Sequence, residues 1–181
     1  SKLPESDEHP SWTKLEFNQC IHCPLSREEN IYCPLAVDLV PIISWCKDLD
    51  SYDEVDVTVT SNEREVRVHS SLQRAVSSLL GLLMSSSACP KMNFLRPLAR
   101  FHLPLATYEE TIFRAVLASF LKTYFNETPC QIDPLEELKH QYKELQDLNR
   151  FIAERIRFAI KRDAAVNAIV LLDVLSKQVS L

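Results

Sequence analysis

The sequence predicts an α+β fold dominated by helices, with a small antiparallel β element in the N-terminal half and long C-terminal helices. Three observations carry this. Val55, Val57 and Val59 alternate with polar residues, as do Val66 and Val68, which is the period of two expected of half-buried strands. Helix-start signals recur from Ser70 onward, and neither Gly nor Pro interrupts the chain after Pro134. A single glycine, Gly81, among 181 residues leaves few left-handed turns and no phosphate-cradling loop, which excludes P-loop and dinucleotide-binding motifs.

Taken in order, residues 1–11 read as a flexible tail and 12–181 as one domain, with a Cys-rich loop and the β element in 12–70 and the helical part in 71–181. Trp12, Leu15 and Phe17 alternate loosely, so 12–17 is a candidate strand. Residues 18–36 read as loop. Residues 35–48 are apolar and predict a helix disturbed at Pro41. The valine pattern makes a hairpin turning at Ser61-Asn62-Glu63. Two strands alone are marginal, so the hairpin has to pack on helices or gain a third strand, for which 12–17 is the candidate. Ser70 with Gln73 resembles a capping box opening a helix to about Met84. Thr107 with Glu110 opens another to about Tyr124, with Glu110 and Arg114 at i, i+4. Asp133-Pro134-Leu135-Glu136 combines an N-cap, a proline at the first helical position and an acidic first turn.

The last segment carries a seam at alternating spacings of three and four: Leu135, Leu138, Tyr142, Leu145, Asn149, Ile152, Ile156 and Ala159. A polar Asn149 at a seam position is a known device for fixing register or partner number. The seam fits two core helices of a bundle, or a long helix that makes a homodimer through the C-terminal helices. Asp163 either caps a separate helix or lies within a continuous one.

Composition bounds the function. The length suits one compact domain, and 46% hydrophobic residues permit a sizeable core. A net charge of −5 argues against general nucleic-acid binding. No run of eighteen apolar residues occurs, so no membrane-spanning helix is expected. The polar, acidic start is unlike a signal peptide, which implies a cytoplasmic protein with reduced thiols.

The chemical clue is a set of cysteines. Cys20 and Cys23 form a C-x2-C pair, and Cys33 follows in a similar context, Cys33-Pro34-Leu35 against Cys23-Pro24-Leu25. Structural zinc takes four such ligands, with Zn–S near ~2.3 Å. His22 lies between the paired cysteines and would point awkwardly. Cys89, again before a proline, is the better fourth ligand, because the following proline biases it to the extended backbone of a loop; His102 is a possible substitute. The same four thiolates fit an iron–sulfur cluster. Alternatively the cysteines are buried packing in a metal-free helical interaction and dimerisation module, or a disulfide or thiol-redox pair. Cys89 with His102 would be nucleophile and base of a thiol enzyme. Cys46 reads as core and Cys130 as an interhelical loop residue.

The remaining polar groups read as structural. Ser85, Ser86 and Ser87 close a helix and show no nucleophile elbow. Asp48, Asp50, Asp53, Glu54 and Asp56 make a solvated acidic loop without EF-hand spacing. Arg155, Arg157, Lys161 and Arg162 make a solvated basic patch.

The runs Leu15-Glu16-Phe17-Asn18-Gln19-Cys20, Cys23-Pro24-Leu25, Cys33-Pro34-Leu35-Ala36, Ala88-Cys89-Pro90 and Ala99-Arg100-Phe101-His102-Leu103-Pro104 resemble an uncharacterised bacterial protein family of unknown function. So do Ser51-Tyr52-Asp53-Glu54-Val55, Ser78-Leu79-Leu80-Gly81-Leu82 and Asn167-Ala168-Ile169-Val170-Leu171-Leu172-Asp173. The resemblance implies a bacterial cytoplasmic protein in which Cys20, Cys23, Cys33 and Cys89 form one recurring set, and it names no ligand. The expected function is therefore that of a non-catalytic protein with a Cys-ligated zinc, structural or sensory.

Overall fold

The computed structural model describes residues 9–125, 133–160 and 163–180. The predicted tail up to residue 8, Cys130, and Lys161 with Arg162 lie outside them. Among the described residues six α-helices and one two-stranded antiparallel sheet occur, in the order α1 (Pro34–Cys46), β1 (Glu54–Thr60), β2 (Glu65–Ser71), α2 (Leu72–Ser86), α3 (Arg96–Arg100), α4 (Tyr108–Phe125), α5 (Pro134–Ala159) and α6 (Ala164–Val179). Short 3-10 turns cover Ser11–Thr13 and Pro90–Leu95. This is the α+β, mostly helical fold that the sequence predicts. No helix among the described residues is long and apolar enough to cross a membrane.

The hairpin forms in the register set by its valines, with Val57 opposite Val68 and Val59 opposite Val66. Its apolar face stays only half covered, and Val59 is 39% exposed. The candidate third strand, 12–17, does not form, and the hairpin stays two-stranded. Residues 12–17 instead follow a 3-10 turn, with one isolated bridge from Lys14 to Tyr32. Trp12 and Leu15 are both buried, and a spacing of three puts them on one side of a turn but on opposite faces of a strand.

The expected capping box at Ser70 does not form either. Ser70 ends up in β2, and the strand runs straight into α2. The first amides of α2 are satisfied by the acidic loop: Leu72 N donates to the Asp53 carbonyl (2.7 Å) and Gln73 N to that of Ser51 (3.1 Å). Loop carbonyls thereby meet the need that a serine hydroxyl meets elsewhere. The α4 box closes as predicted, Thr107 N to Glu110 Oε2 at 2.7 Å and Glu110 N to Thr107 Oγ1 at 3.3 Å. Since Glu110 is used there, Arg114 turns to the carbonyls of Leu98 (2.9 Å) and Phe101 (2.5 Å) rather than pairing with it. The Asp133 carboxylate accepts from Leu135 N at 2.8 Å, an N-cap as expected.

Helix α1 runs through Pro41, which is exposed. Helices α5 and α6 are separate and pack as a hairpin, and Gln146 Nε2 reaches Ser180 Oγ at 2.8 Å. Asp163 marks the break by reaching across the chain: its carboxylate accepts from the backbone N (3.2 Å) and hydroxyl (3.1 Å) of buried Ser51. The seam residues Leu138, Tyr142, Leu145, Asn149, Ile152 and Ile156 are all buried within the chain. Leu39, Leu80, Met84, Ala168 and Ile169 complete the core that α1, α2, α5 and α6 share.

Candidate functional site

The site grows from the segment before α1. Backbone bonds from Leu15 N to the Ile31 carbonyl and from Cys33 N to that of Thr13, both 2.8 Å, lay residues 13–15 against 31–33. The intervening loop folds back on itself through a turn in which Cys23 N donates to the Cys20 carbonyl (3.1 Å). Asn18 enters it with φ of 49°, a left-handed conformation that Asn tolerates better than most side chains. Its amide anchors the loop on α5, donating to the Phe151 carbonyl (3.2 Å) and Glu154 Oε2 (2.9 Å).

Cys33 and Cys89 occupy equivalent positions, each the residue before a proline that begins a helical turn. Both are buried, whereas Cys20 and Cys23 are half-buried. The four thiols are neighbours. Burial first, then the thiols of Cys33, Cys23 and Cys89, push Cys20 up to about 12. Burial likewise raises Cys33, and it raises Cys89 to about 11. The backbone amides of Leu35 and Ala36 face the Cys33 sulfur, and those of Lys91 and Met92 face that of Cys89, and each pair pulls the other way. Neither pair closes a capping hydrogen bond. Among the described residues no three His, Cys, Asp or Glu side chains stand close enough to share one ion, so the thiols form a neighbourhood rather than a closed coordination shell. Cys20, Cys23, Cys33, Cys46 and Cys89 are all free thiols.

The residue that the sequence did not single out is Arg155. Expected in a solvated basic patch, it is 1% exposed. It follows Leu148 and Ile152 on the buried stripe of α5 at the same spacing of three and four, which was the available signal. Its Nη1 donates to the carbonyls of Trp12 (2.6 Å) and Lys14 (2.8 Å), and its Nη2 to that of Leu15 (3.3 Å). The guanidinium also lies 5.8 Å from the Phe17 ring. Burial lowers its pKa, and Cys33, Cys20 and Cys23 act in the opposite sense. A fixed cation therefore stands beside three of the four thiols.

The other predicted residues lie apart from this group. His22 is exposed and acts on Glu144. His102 lines a separate apolar cavity that does not include Cys89; burial and the neighbouring Arg114 lower its pKa. Cys46 is fully buried at the end of α1, as its apolar surroundings predict. The raised thiols make slow nucleophiles near neutrality, which does not favour thiol catalysis.

The shifts also fix a pH dependence for the metal-free, reduced protein. Cys20, Cys46 and Cys89 have folded pKa values above the ordinary 9.0 of an unfolded thiol, at about 12, 11 and 11. Their contribution is fully present below pH 9 and is lost as pH rises through the folded values. Buried Tyr142, also raised, acts in the same direction. The urea midpoint is expected to stay level near neutrality and to fall between pH 9 and about 11; a level midpoint across that window would contradict the assigned burial.

A family profile described as a domain of unknown function matches residues 2–181. No curated protein and no solved structure matches the chain.

Proposed function

The chain belongs to this family, Domain of unknown function (DUF6901), and from that premise we propose that it is a non-catalytic metal protein in which Cys20, Cys23, Cys33 and Cys89 hold one zinc ion. The observation that carries the reading is the gathering of these four thiols, three from the N-terminal loop and Cys89 from the turn after α2, with a buried cation beside the first three. Zinc would displace four thiol protons and leave a centre of charge −2, since four thiolates outweigh one Zn2+. Arg155 offsets part of that charge, and the amides facing Cys33 and Cys89 favour the thiolate form, as outer-shell groups do at metal sites. Coordination requires the four sulfurs to draw together to Zn–S distances of ~2.3 Å. The site would then clip the N-terminal loop to the body of the fold, and binding energy would become folding energy.

Elemental analysis and an absorption spectrum of the full chain, purified reduced and without air, test this. The expected result is about one zinc per chain and no visible colour. Removing it with a strong chelator is expected to lower the melting temperature by at least about 5 °C. Iron with sulfide and broad visible absorption would replace zinc with an iron–sulfur cluster. Folded, reduced protein that takes up no zinc when supplied would overturn the reading in favour of a metal-free interaction module.

A further inference from the structure

We infer that the apolar cavity bounded by α2, α4, α5 and α6 is a binding site for a small, neutral, largely apolar molecule bearing a lactam-like edge, with N–H and C=O side by side. The cavity measures about 430 Å3 and is lined largely by side chains such as Met84, Met92, Leu145 and Leu172, a size and character typical of small-molecule sites. It is separate from the cysteine neighbourhood, and the inference stands without the zinc reading.

Polar side chains are interspersed in the wall, and several are already engaged. Ser85 Oγ donates to the Gly81 carbonyl (2.6 Å), and Ser78 Oγ accepts from Leu105 N (2.9 Å). Arg114 donates to two backbone carbonyls. Asn149 is not engaged. It lines the cavity, is 1% exposed, and neither Nδ2 nor Oδ1 has a hydrogen-bond partner among the described residues. A buried primary amide left unmatched on both its donor and its acceptor is disfavoured strongly enough that native proteins nearly always satisfy it. A leucine would fill this seam position without that cost. The group that satisfies both atoms at once is another amide edge: its C=O accepts from Nδ2 while its N–H donates to Oδ1. A carboxylate would leave Oδ1 unmatched.

Two probes distinguish the edge from mere apolarity: 4-propyl-2-pyridone, which carries it, and 1-methyl-4-propyl-2-pyridone, which keeps the acceptor and loses the donor. Calorimetric titration of the full chain is expected to show the first binding about tenfold or more tighter than the second, the cost of leaving Oδ1 buried and unpaired. Asn149→Leu is expected to erase that preference. Val174→Trp supplies an independent check, because Val174 lines the cavity yet is 47% exposed. An indole there narrows the mouth without entering the core, and binding of the pyridone is expected to drop at least about tenfold. The inference is overturned if the pyridone fails to saturate the protein at millimolar concentration, if both probes bind alike, or if Val174→Trp leaves binding intact. The last outcome would place the probe elsewhere, and the first would assign the Asn149 partner to an ordered water.

Discussion

Arg155→Ala is expected to destabilise the protein by about 3–5 kcal/mol, the range for removing one side of a buried, charge-assisted contact. The wild-type guanidinium satisfies three carbonyls of the segment that precedes α1, at 2.6, 2.8 and 3.3 Å. Hydrogen bonds to a charged group contribute about 1.5–3 kcal/mol each, and truncation also leaves their acceptors buried without donors. Arg155→Lys should recover only part of the loss, because an ammonium cannot reproduce the planar fork that serves several carbonyls at once. Urea unfolding with the slope held constant measures both differences. A loss below about 1 kcal/mol for the alanine variant would place Arg155 among ordinary surface substitutions and would remove the cation from the thiol neighbourhood.

The second large effect concerns Cys89, the one proposed ligand that lies outside the N-terminal loop. Structural zinc binding by four ligands is worth about 10–16 kcal/mol near neutral pH, or about 2.5–4 kcal/mol per ligand if shared evenly. Cys89→Ser is therefore expected to weaken zinc about 100- to 1,000-fold in competition with a chromophoric chelator. Cys46→Ser alters a fully buried thiol that belongs to none of the proposed ligands and should leave zinc affinity unchanged. Unchanged affinity in Cys89→Ser would confine any metal to the loop cysteines and detach α2 from the site.

Much of the fold was legible in the sequence because local chemistry agreed with tertiary demand. Val55, Val57, Val66 and Val68 alternate in both sequence and burial, the Thr107–Glu110 box needs only its own residues, and Asp133-Pro134 starts α5 where the pattern begins. What was not legible depended on partners distant in the chain. Ser70 was read as a cap because nothing local reveals that the carbonyls of Ser51 and Asp53 would do that work. Trp12 and Leu15 were read as strand because a spacing of three is ambiguous over so short a run. Arg155 was read as solvated because charge is the usual guide to exposure, and only its position on the Leu148–Ile152 stripe pointed inward. Asn149 was read as a register device; its burial was foreseeable from the seam, but its place in a cavity wall depends on how α2, α4 and α6 pack around α5. The four cysteines were legible as candidates for one neighbourhood, although the cation beside three of them was not.

The Arg155 fastening also sets an order of events during synthesis. Trp12 and Arg155 are 143 positions apart, and translation proceeds at about 5–20 residues per second. The first segment therefore spends about 7–30 s attached to a ribosome before the side chain that holds it has been made. During that interval Cys20, Cys23 and Cys33 lack both their cation and Cys89's final setting. The segment that precedes α1 is thus made well before the side chain that fastens it. Conditions that bear on nascent thiols, such as oxidants or free metal, act on it before the mature fold can shelter it.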